Sequence, residues 1–396
     1  MPYVEGRIIH DADSHLMELG DCLDPYFDRR MLARYHALPI YQHKIGNGVW
    51  AQKARAQHED PEFRAGEEAN ILLRKNYQAL GAFLPTDRPK AVDYLGFASQ
   101  LVFTTFCLGN FQLEYGDDVE LCYAAATAHN RMMTEFCSVD RRLLPTGYVP
   151  FMDFQRAAAA AKEAIELGAK ALLIPSRCPR DHSPSHIGFD PVWAQAEAAG
   201  IPILFHVGGE EKLNPTYFEN GLPRVKDFHG GEENFTSVSF MPIPNSAMQT
   251  LACLIIDGVF DRFPRLKFGA IELGASWLPS WMRFMDSAAA AFMKNEDRLT
   301  KLSAKPSEIA QRQLRVTPYP HEDAGWIIRN AGDDMLLFSS DFPHVEGGRN
   351  PLKRFNDSLE GLSTHAIERF FTDNFIDLMG EGLAADLRRP AHLIAA

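Results

Sequence analysis

Short apolar runs alternate with amphipathic stretches along most of this chain, and that alternation predicts its elements. Residues 4–12 read as a first strand. QLVFTT at 100–105, LPTGYVP at 144–150, AKALLIP at 169–175, IPILFHV at 201–207, LKFGAIEL at 266–273, LRVT at 314–317 and MLLFSS at 335–340 supply seven more. Helical patterns lie between them: 117–137, with Asp117 and Asp118 in its first turn; the alanine-rich 153–167, stopped by Gly168; 190–199, stopped by Gly200; 246–260; and a closing helix over 363–379. Near-continuous apolar strands joined by helical crossovers indicate a parallel sheet covered on both faces. Eight such units predict an α/β fold, a (β/α)8 TIM barrel, in which functional groups sit at the C-terminal ends of the strands. A doubly wound sheet is the alternative, but no Gly-x-Gly-x-x-Gly follows the first strand.

Residues 16–95 interrupt the pattern. They are rich in Arg, Asp, Tyr, Gln and His, with a turn at Gly46-Asn47-Gly48. An insertion between the first two strands of a barrel lies over its mouth as a lid or an oligomer contact. A second loop-rich stretch, 208–244, follows strand five and also reaches the mouth. The expectation is one domain over residues 1–396, with a homodimer formed through the insertion or the closing helix.

Composition narrows the function classes. In 396 residues, 46% are apolar and 23% charged, which is ordinary for a soluble globular protein. The net charge of −12 argues against nucleic acid and anionic membrane as partners. No run approaches the roughly 20 apolar residues a membrane span requires, and Glu5 and Arg7 in the first segment do not suit a signal peptide. A cytoplasmic enzyme acting on a small molecule is the expectation. The six cysteines (Cys22, Cys107, Cys122, Cys137, Cys178, Cys253) form no Cys-x-x-Cys pair and read as reduced structural thiols.

The strand ends carry the chemistry. The first strand leads into Asp11-Ala12-Asp13-Ser14-His15. Alternate side chains of a strand share a face, so Asp11, Asp13 and His15 point one way if extension persists. Two carboxylates and an imidazole together suit a divalent metal; Asp and Ser are also ordinary helix N-caps. Strand five ends Phe205-His206-Val207, strand six Ile271-Glu272-Leu273 and strand eight Ser340-Asp341-Phe342-Pro343-His344. Four of eight strands thus deliver metal-type ligands to one rim.

This layout resembles the amidohydrolase superfamily, in its aminocarboxymuconate semialdehyde decarboxylase-like branch of decarboxylases and hydrolases. The Ser-Asp-Phe-Pro-His run and the strand-six Glu-Leu-Gly-Ala-Ser-Trp-Leu-Pro run are the most specific motifs, and the likeness spans about residues 4–380. It implies Asp13, His15, His206 and Asp341 as metal ligands, with Asp341 as general base. Two imidazoles and two carboxylates leave a divalent ion formally neutral, and such an ion lowers the pKa of bound water to about 7. The mixed N/O set does not choose among zinc, manganese and iron. Asp11 then anchors the strand tip or orients His15.

Two departures matter. The decarboxylases of that branch usually carry a His on strand six, where this chain has Glu272. Two-metal amidohydrolases often bridge with a carboxylated Lys on strand four, but Lys170 lies at the start of that strand here. One ion is therefore expected rather than two; a pair bridged by Glu272 is the alternative, and Glu272 is also a candidate acid or base. His344 hydrogen-bonds substrate, shuttles a proton or is structural. His182, His186 and His229 read as surface or loop-packing residues, Trp277 with Pro279 as a packing cluster, and Arg177 as no more than a candidate to pair with a substrate carboxylate. Glu322-Asp323 reads as a helix cap. The leading function is a metal-dependent hydrolase, in which metal-bound water attacks the carbonyl carbon of an amide, ester, thioester or carbon–carbon bond. The alternative is a non-oxidative decarboxylase of an aromatic or enoic acid. A catalytically dead scaffold is disfavoured by the full ligand set.

Overall fold

The computed structural model describes residues 2–39, 48–211, 213–223 and 236–390. Seven strands form one sheet in sequence order: β1 (His10–Leu16), β2 (Ser99–Thr104), β3 (Leu143–Tyr148), β4 (Ala171–Leu173), β5 (Ile203–His206), β6 (Phe268–Ile271) and β7 (Leu314–Val316). Each pairs in parallel with its sequence neighbours. Parallel neighbours require a crossover at every step, and those crossovers cover the sheet so fully that every residue of the seven strands is buried. The result is an α/β fold with a curled parallel sheet, consistent with the expected barrel.

The eighth strand needs correction. Residues 335–342 lie between β7 and β1: Val316 N–H donates to Met335 O (2.8 Å) and Leu337 N–H to Val316 O (3.0 Å), while Ala12 N–H donates to Phe338 O (3.1 Å). Only isolated bridges form, Val316 with Leu336 and Ser14 with Phe342. The backbone is diverted to other acceptors, Phe338 N–H to Phe370 O (3.0 Å) and Ser340 N–H to the Asp11 carboxylate (2.8 Å). A regular ladder cannot run through groups already engaged.

The first strand also begins later than residue 4. The N–H groups of Tyr3 and Val4 donate to the carbonyls of Tyr94 and Leu95, so this stretch docks on the helix Arg88–Leu95, and pairing with β2 starts at His10 opposite Ser99. The Asp-x-Asp-x-His run therefore lies inside β1. Most helices form as read. Phe154–Leu167, for example, starts at Asp153, whose side chain accepts from Arg156 N–H, and ends at Gly168 with φ of 107°. The helix expected over 246–260 instead runs Ile243–Ile256, and Gly258 (φ 77°) separates it from the turn Val259–Arg262. The closing helix is broken by a π-helical turn, Arg369–Asp373.

Between β1 and β2 lie the helices Arg29–His36, Gly48–Glu59, Pro61–Arg64 and Arg88–Leu95. Arg88 is fully buried, and its guanidinium donates to His15 O (2.9 Å) and Gln100 Oε1 (3.2 Å). A cation thus joins the insertion to the strand that bears the candidate ligands. Residues 46 and 47 of the expected turn, and 212 and 224–235 of the second loop, lie outside the described residues. Among the described residues no helix is long and apolar enough to cross a membrane. All six cysteines are unpaired, but Cys178 is exposed rather than a packing thiol.

Candidate metal centre

A bulge aims the first pair of groups. Between Asp11 and Ser14 the register of β1 slips against β2: Asp11 faces Gln100, yet Ser14 faces Val102. The extra residue breaks the simple alternation. Asp13 and His15 converge on the centre, while Asp11 turns to a different layer. There its carboxylate accepts from Ser340 N–H (2.8 Å), Ser340 Oγ (2.6 Å) and Gln100 Nε2 (2.8 Å). Burial pushes the Asp11 carboxyl up to about 7 despite these bonds. It anchors the strand tip, as one of its two expected roles required.

β5 contributes His206 at its last position, Glu272 follows directly on β6, and Asp341 lies near the end of the bridged segment. Glu272 and Asp341 have φ of 53° and 51°, a left-handed conformation that L residues seldom adopt. Neighbours hold both in place. Glu272 N–H donates to Thr317 Oγ1 (2.8 Å) and its carbonyl accepts from the Tyr319 hydroxyl (2.7 Å). Asp341 N–H donates to Asp13 O (2.9 Å), and its carbonyl accepts from His344 N–H (2.7 Å).

The side chains form two overlapping clusters, Asp13–His15–His206–Glu272 and His15–Glu272–Asp341–His344; within each, the ligand atoms lie within 4.8 Å of one another. His15 Nε2 stands 3.2 Å from Asp13 Oδ1 and 3.6 Å from both Glu272 Oε2 and Asp341 Oδ1. His206 Nε2 stands 3.4 Å from Asp13 Oδ1 and 3.3 Å from Glu272 Oε2. The Nδ1 atoms are committed elsewhere, to Thr104 O (2.9 Å) and Val207 O (3.0 Å). Carbonyls that accept from Nδ1–H leave each Nε2 facing the centre, the usual arrangement of metal-binding imidazoles. His15 Nε2 and Asp341 Oδ2 are buried without a hydrogen-bond partner. Three buried carboxylates, two inward nitrogens and orphaned polar atoms fit a divalent cation.

Proton affinities divide the carboxylates. Burial raises the Asp13 carboxyl, but hydrogen bonds and charge from His15 and His206 outweigh it and hold Asp13 well below the usual range. Burial and the charges of Asp341 and Asp13 push Glu272 well above it. The surroundings thus favour the charged form of Asp13 and the protonated form of Glu272. Burial lowers His15, yet Asp13 and Asp341 carry it up to about 9. The amidohydrolase family profile matches residues 34–378.

This chain belongs to the amidohydrolase family. A search of curated proteins found no match. Solved structures of like fold include an amidohydrolase from Mycobacterium avium subsp. paratuberculosis, 22% identical, with a TM-score of 0.70 over 95% of this chain and 100% of that one. They also include 5-carboxyvanillate decarboxylase from Novosphingobium aromaticivorans, complexed with manganese and 4-hydroxy-3-methoxy-5-nitrobenzoic acid (18% identical, TM-score 0.62, 94% and 96% covered). A third is dihydroxybenzoic acid decarboxylase from Polaromonas, with bound manganese and 2-nitroresorcinol (15% identical, TM-score 0.58, 94% and 97% covered).

In this amidohydrolase His344 is held from both sides. Its Nδ1 lies 2.9 Å from Asp341 Oδ1 and its Nε2 is 2.9 Å from Thr105 Oγ1, which donates in turn to Leu16 O (2.9 Å). Burial and the charge of His15 lower its pKa, but Asp341 prevails and the imidazole is raised. An imidazolium there pairs by charge with Asp341 while its Nε2–H donates to Thr105. Glu18 fixes Thr105 by accepting the N–H groups of residues 105, 106 and 107. Lys75, from the insertion, has a buried Nζ with no hydrogen-bond partner; burial lowers it to about 8 against the pull of Asp341 and Glu346. Glu18, Lys75, Arg88 and Thr105 carried no signal in the sequence, because nothing local marks a polar side chain as buried.

The remaining expectations divide. His182 and His186 pack against Phe154, as read. Trp277 packs on Trp281. Asp323 caps the helix Ala324–Ala331, but Glu322 does not: its carboxylate accepts from Tyr319, Ala275 and Ser276 N–H, tying the loop after β6 to the loop after β7. His229 lies outside the described residues.

The proton on His15 sets the sign of a pH effect. A cation must displace it below about pH 9, so metal affinity is expected to rise with pH, about tenfold per unit for each proton released. Titration calorimetry between pH 6 and 8, in buffers of different ionisation enthalpy, should show at least one proton released. A pH-independent Kd would contradict the assignment of His15 as a ligand.

Proposed function

We propose that this amidohydrolase is a divalent-metal-dependent, non-oxidative decarboxylase of an aromatic acid. Its proposed setting is one domain, a closed (β/α)8 barrel, with the 16–95 insertion and the 208–244 loop lid-like over its mouth. One observation carries the reading: the buried Glu272 carboxyl stands 3.6 Å from His15 Nε2 and 3.3 Å from His206 Nε2, where burial and the neighbouring carboxylates favour its protonated form. Loss of carboxylate from a ring requires a proton donor at the carbon that bears it, and a carboxylic acid in a water-poor site supplies one. The manganese-bound aromatic-acid decarboxylases of like fold support the same choice. It reverses the order of readings that the motifs alone favour, because Glu272, in surroundings that favour its protonated form, takes the place of the strand-six His as proton donor.

Asp13, His15, His206 and Asp341 would hold one ion, and manganese is the metal the relatives suggest. When bound, the ion would supply positive charge to engage the substrate carboxylate and an adjacent hydroxyl. Glu272 gives its proton to the ring carbon; the bond to the carboxylate then breaks, its electron pair returns to the ring and carbon dioxide leaves. Glu272 ends as a carboxylate and is reprotonated from water. His344 orients Asp341. Hydrolysis remains a second reading on one observation: Asp341 Oδ2 has no hydrogen-bond partner and is placed to accept a proton from water.

Metal-loaded protein incubated in D2O with hydroxybenzoates and 5-carboxyvanillate separates the two. The expected result is carbon dioxide release, with one deuterium at the carbon that lost it. Cleavage of esters or thioesters with no carbon dioxide release would select the hydrolase.

A further inference from the structure

A cavity of about 710 Å³ opens beside the strand ends, and none of the candidate ligands lines it. Its Arg177 wall is tied to the loop that follows β5, since Arg177 N–H donates to Gly209 O (3.0 Å), three residues past His206. Arg177 forms one wall. Its guanidinium lies 3.9 Å from the centroid of the Tyr115 ring, and among the described residues no carboxylate comes within ion-pair distance of it. Neighbouring Arg180 differs, being tied to Asp117 Oδ1 (2.7 Å) and Gly116 O (3.0 Å). The Tyr115 hydroxyl is buried without a hydrogen-bond partner.

The opposite wall is the first two turns of Ile243–Ile256, which present Asn245, Ser246, Gln249 and Thr250. Residues four apart share a helix face, and the N-terminal end of a helix favours negative charge. Among the described residues Glu211 is the one carboxylate on the lining, and its N–H donates to Ser246 Oγ (3.0 Å). A cavity of this volume holds a ligand much larger than a single aromatic ring.

We infer that this cavity receives the carboxylate-bearing end of an extended substrate, paired to Arg177, while the reacting end lies at the metal centre. The inference rests on the proposed function only for where the reacting end lies. An unpaired guanidinium stacked on a ring is preorganised for a planar carboxylate, because the stack fixes its plane before the ligand arrives.

The test uses full-length, metal-loaded protein and calorimetry. The probes are benzoates carrying a second carboxylate on alkoxy chains of increasing length, each paired with the methyl ester of that second group. At one chain length the diacid is expected to bind about 10- to 100-fold tighter than its ester, the range of a charge-assisted pair. Arg177→Gln should erase that advantage with the ester's affinity unchanged, which also reports an intact fold; Arg177→Lys should keep part of it. Diacid and ester binding alike at every length, or an advantage that survives in Arg177→Gln, overturns the inference. Carbon dioxide release is not the readout, so this failure is distinct from failure of the decarboxylase reading.

Discussion

Asp341→Asn is expected to lower turnover by about 10⁴-fold while the circular dichroism spectrum and melting temperature stay near wild type. Asparagine is the one replacement that tests charge alone. It tolerates the left-handed conformation at φ 51° better than other non-glycine residues, and the bond from residue 341 N–H to Asp13 O is made by the backbone. What disappears is the negative charge that pairs with His344 at 2.9 Å and faces His15 at 3.6 Å. Metal content should fall below that of the wild type, and the raised pKa of His344 should return towards its ordinary value, because Asp341 is the main group raising it. Elemental analysis and the NMR titration of the imidazole check both. Unchanged turnover would remove Asp341 from the reaction.

Glu272→Gln should cost about 10²–10⁴-fold in kcat with little change in KM for an aromatic acid. Glutamine keeps the shape and the bonds from Thr317 and Tyr319 to the backbone of residue 272, but it has no proton to give. Metal stoichiometry in the same variant settles the number of ions. About one equivalent in both proteins is expected; about two in the wild type falling to one in Glu272→Gln would establish a pair bridged by this carboxylate. Full activity in the variant would return the reaction to Asp341 and favour hydrolysis.

Much of the candidate site was legible because ligand-type residues follow apolar runs at fixed places. Asp13, His15, His206, Glu272 and Asp341 were all singled out by their positions at strand ends, and the structure brings all five together. The role of Asp11 was only half legible. Its spacing from Asp13 and His15 put three side chains on one face, and no sequence pattern announces the bulge that separates them. His344 was named without a role, since its partners Asp341 and Thr105 come from separate elements. Strand eight was read as regular because MLLFSS is apolar and β-prone, yet its backbone groups go to Asp11 and Phe370.

By itself the sequence determined the alternation of strands and helices, the α/β class and the identity of the groups at the rim. Those properties are local: periodicity, caps and composition act over a few residues and survive without knowledge of the fold. Tertiary structure alone decided which carboxylate the surroundings favour in its charged form and which in its protonated form, how Arg88 and Glu18 brace the site, and that Arg177 lines a cavity with no ion-pair partner among the described residues. These depend on burial and on charges contributed by residues far apart in the chain. Desolvation and electrostatic fields are sums over neighbours in space, and the sequence does not state who those neighbours are.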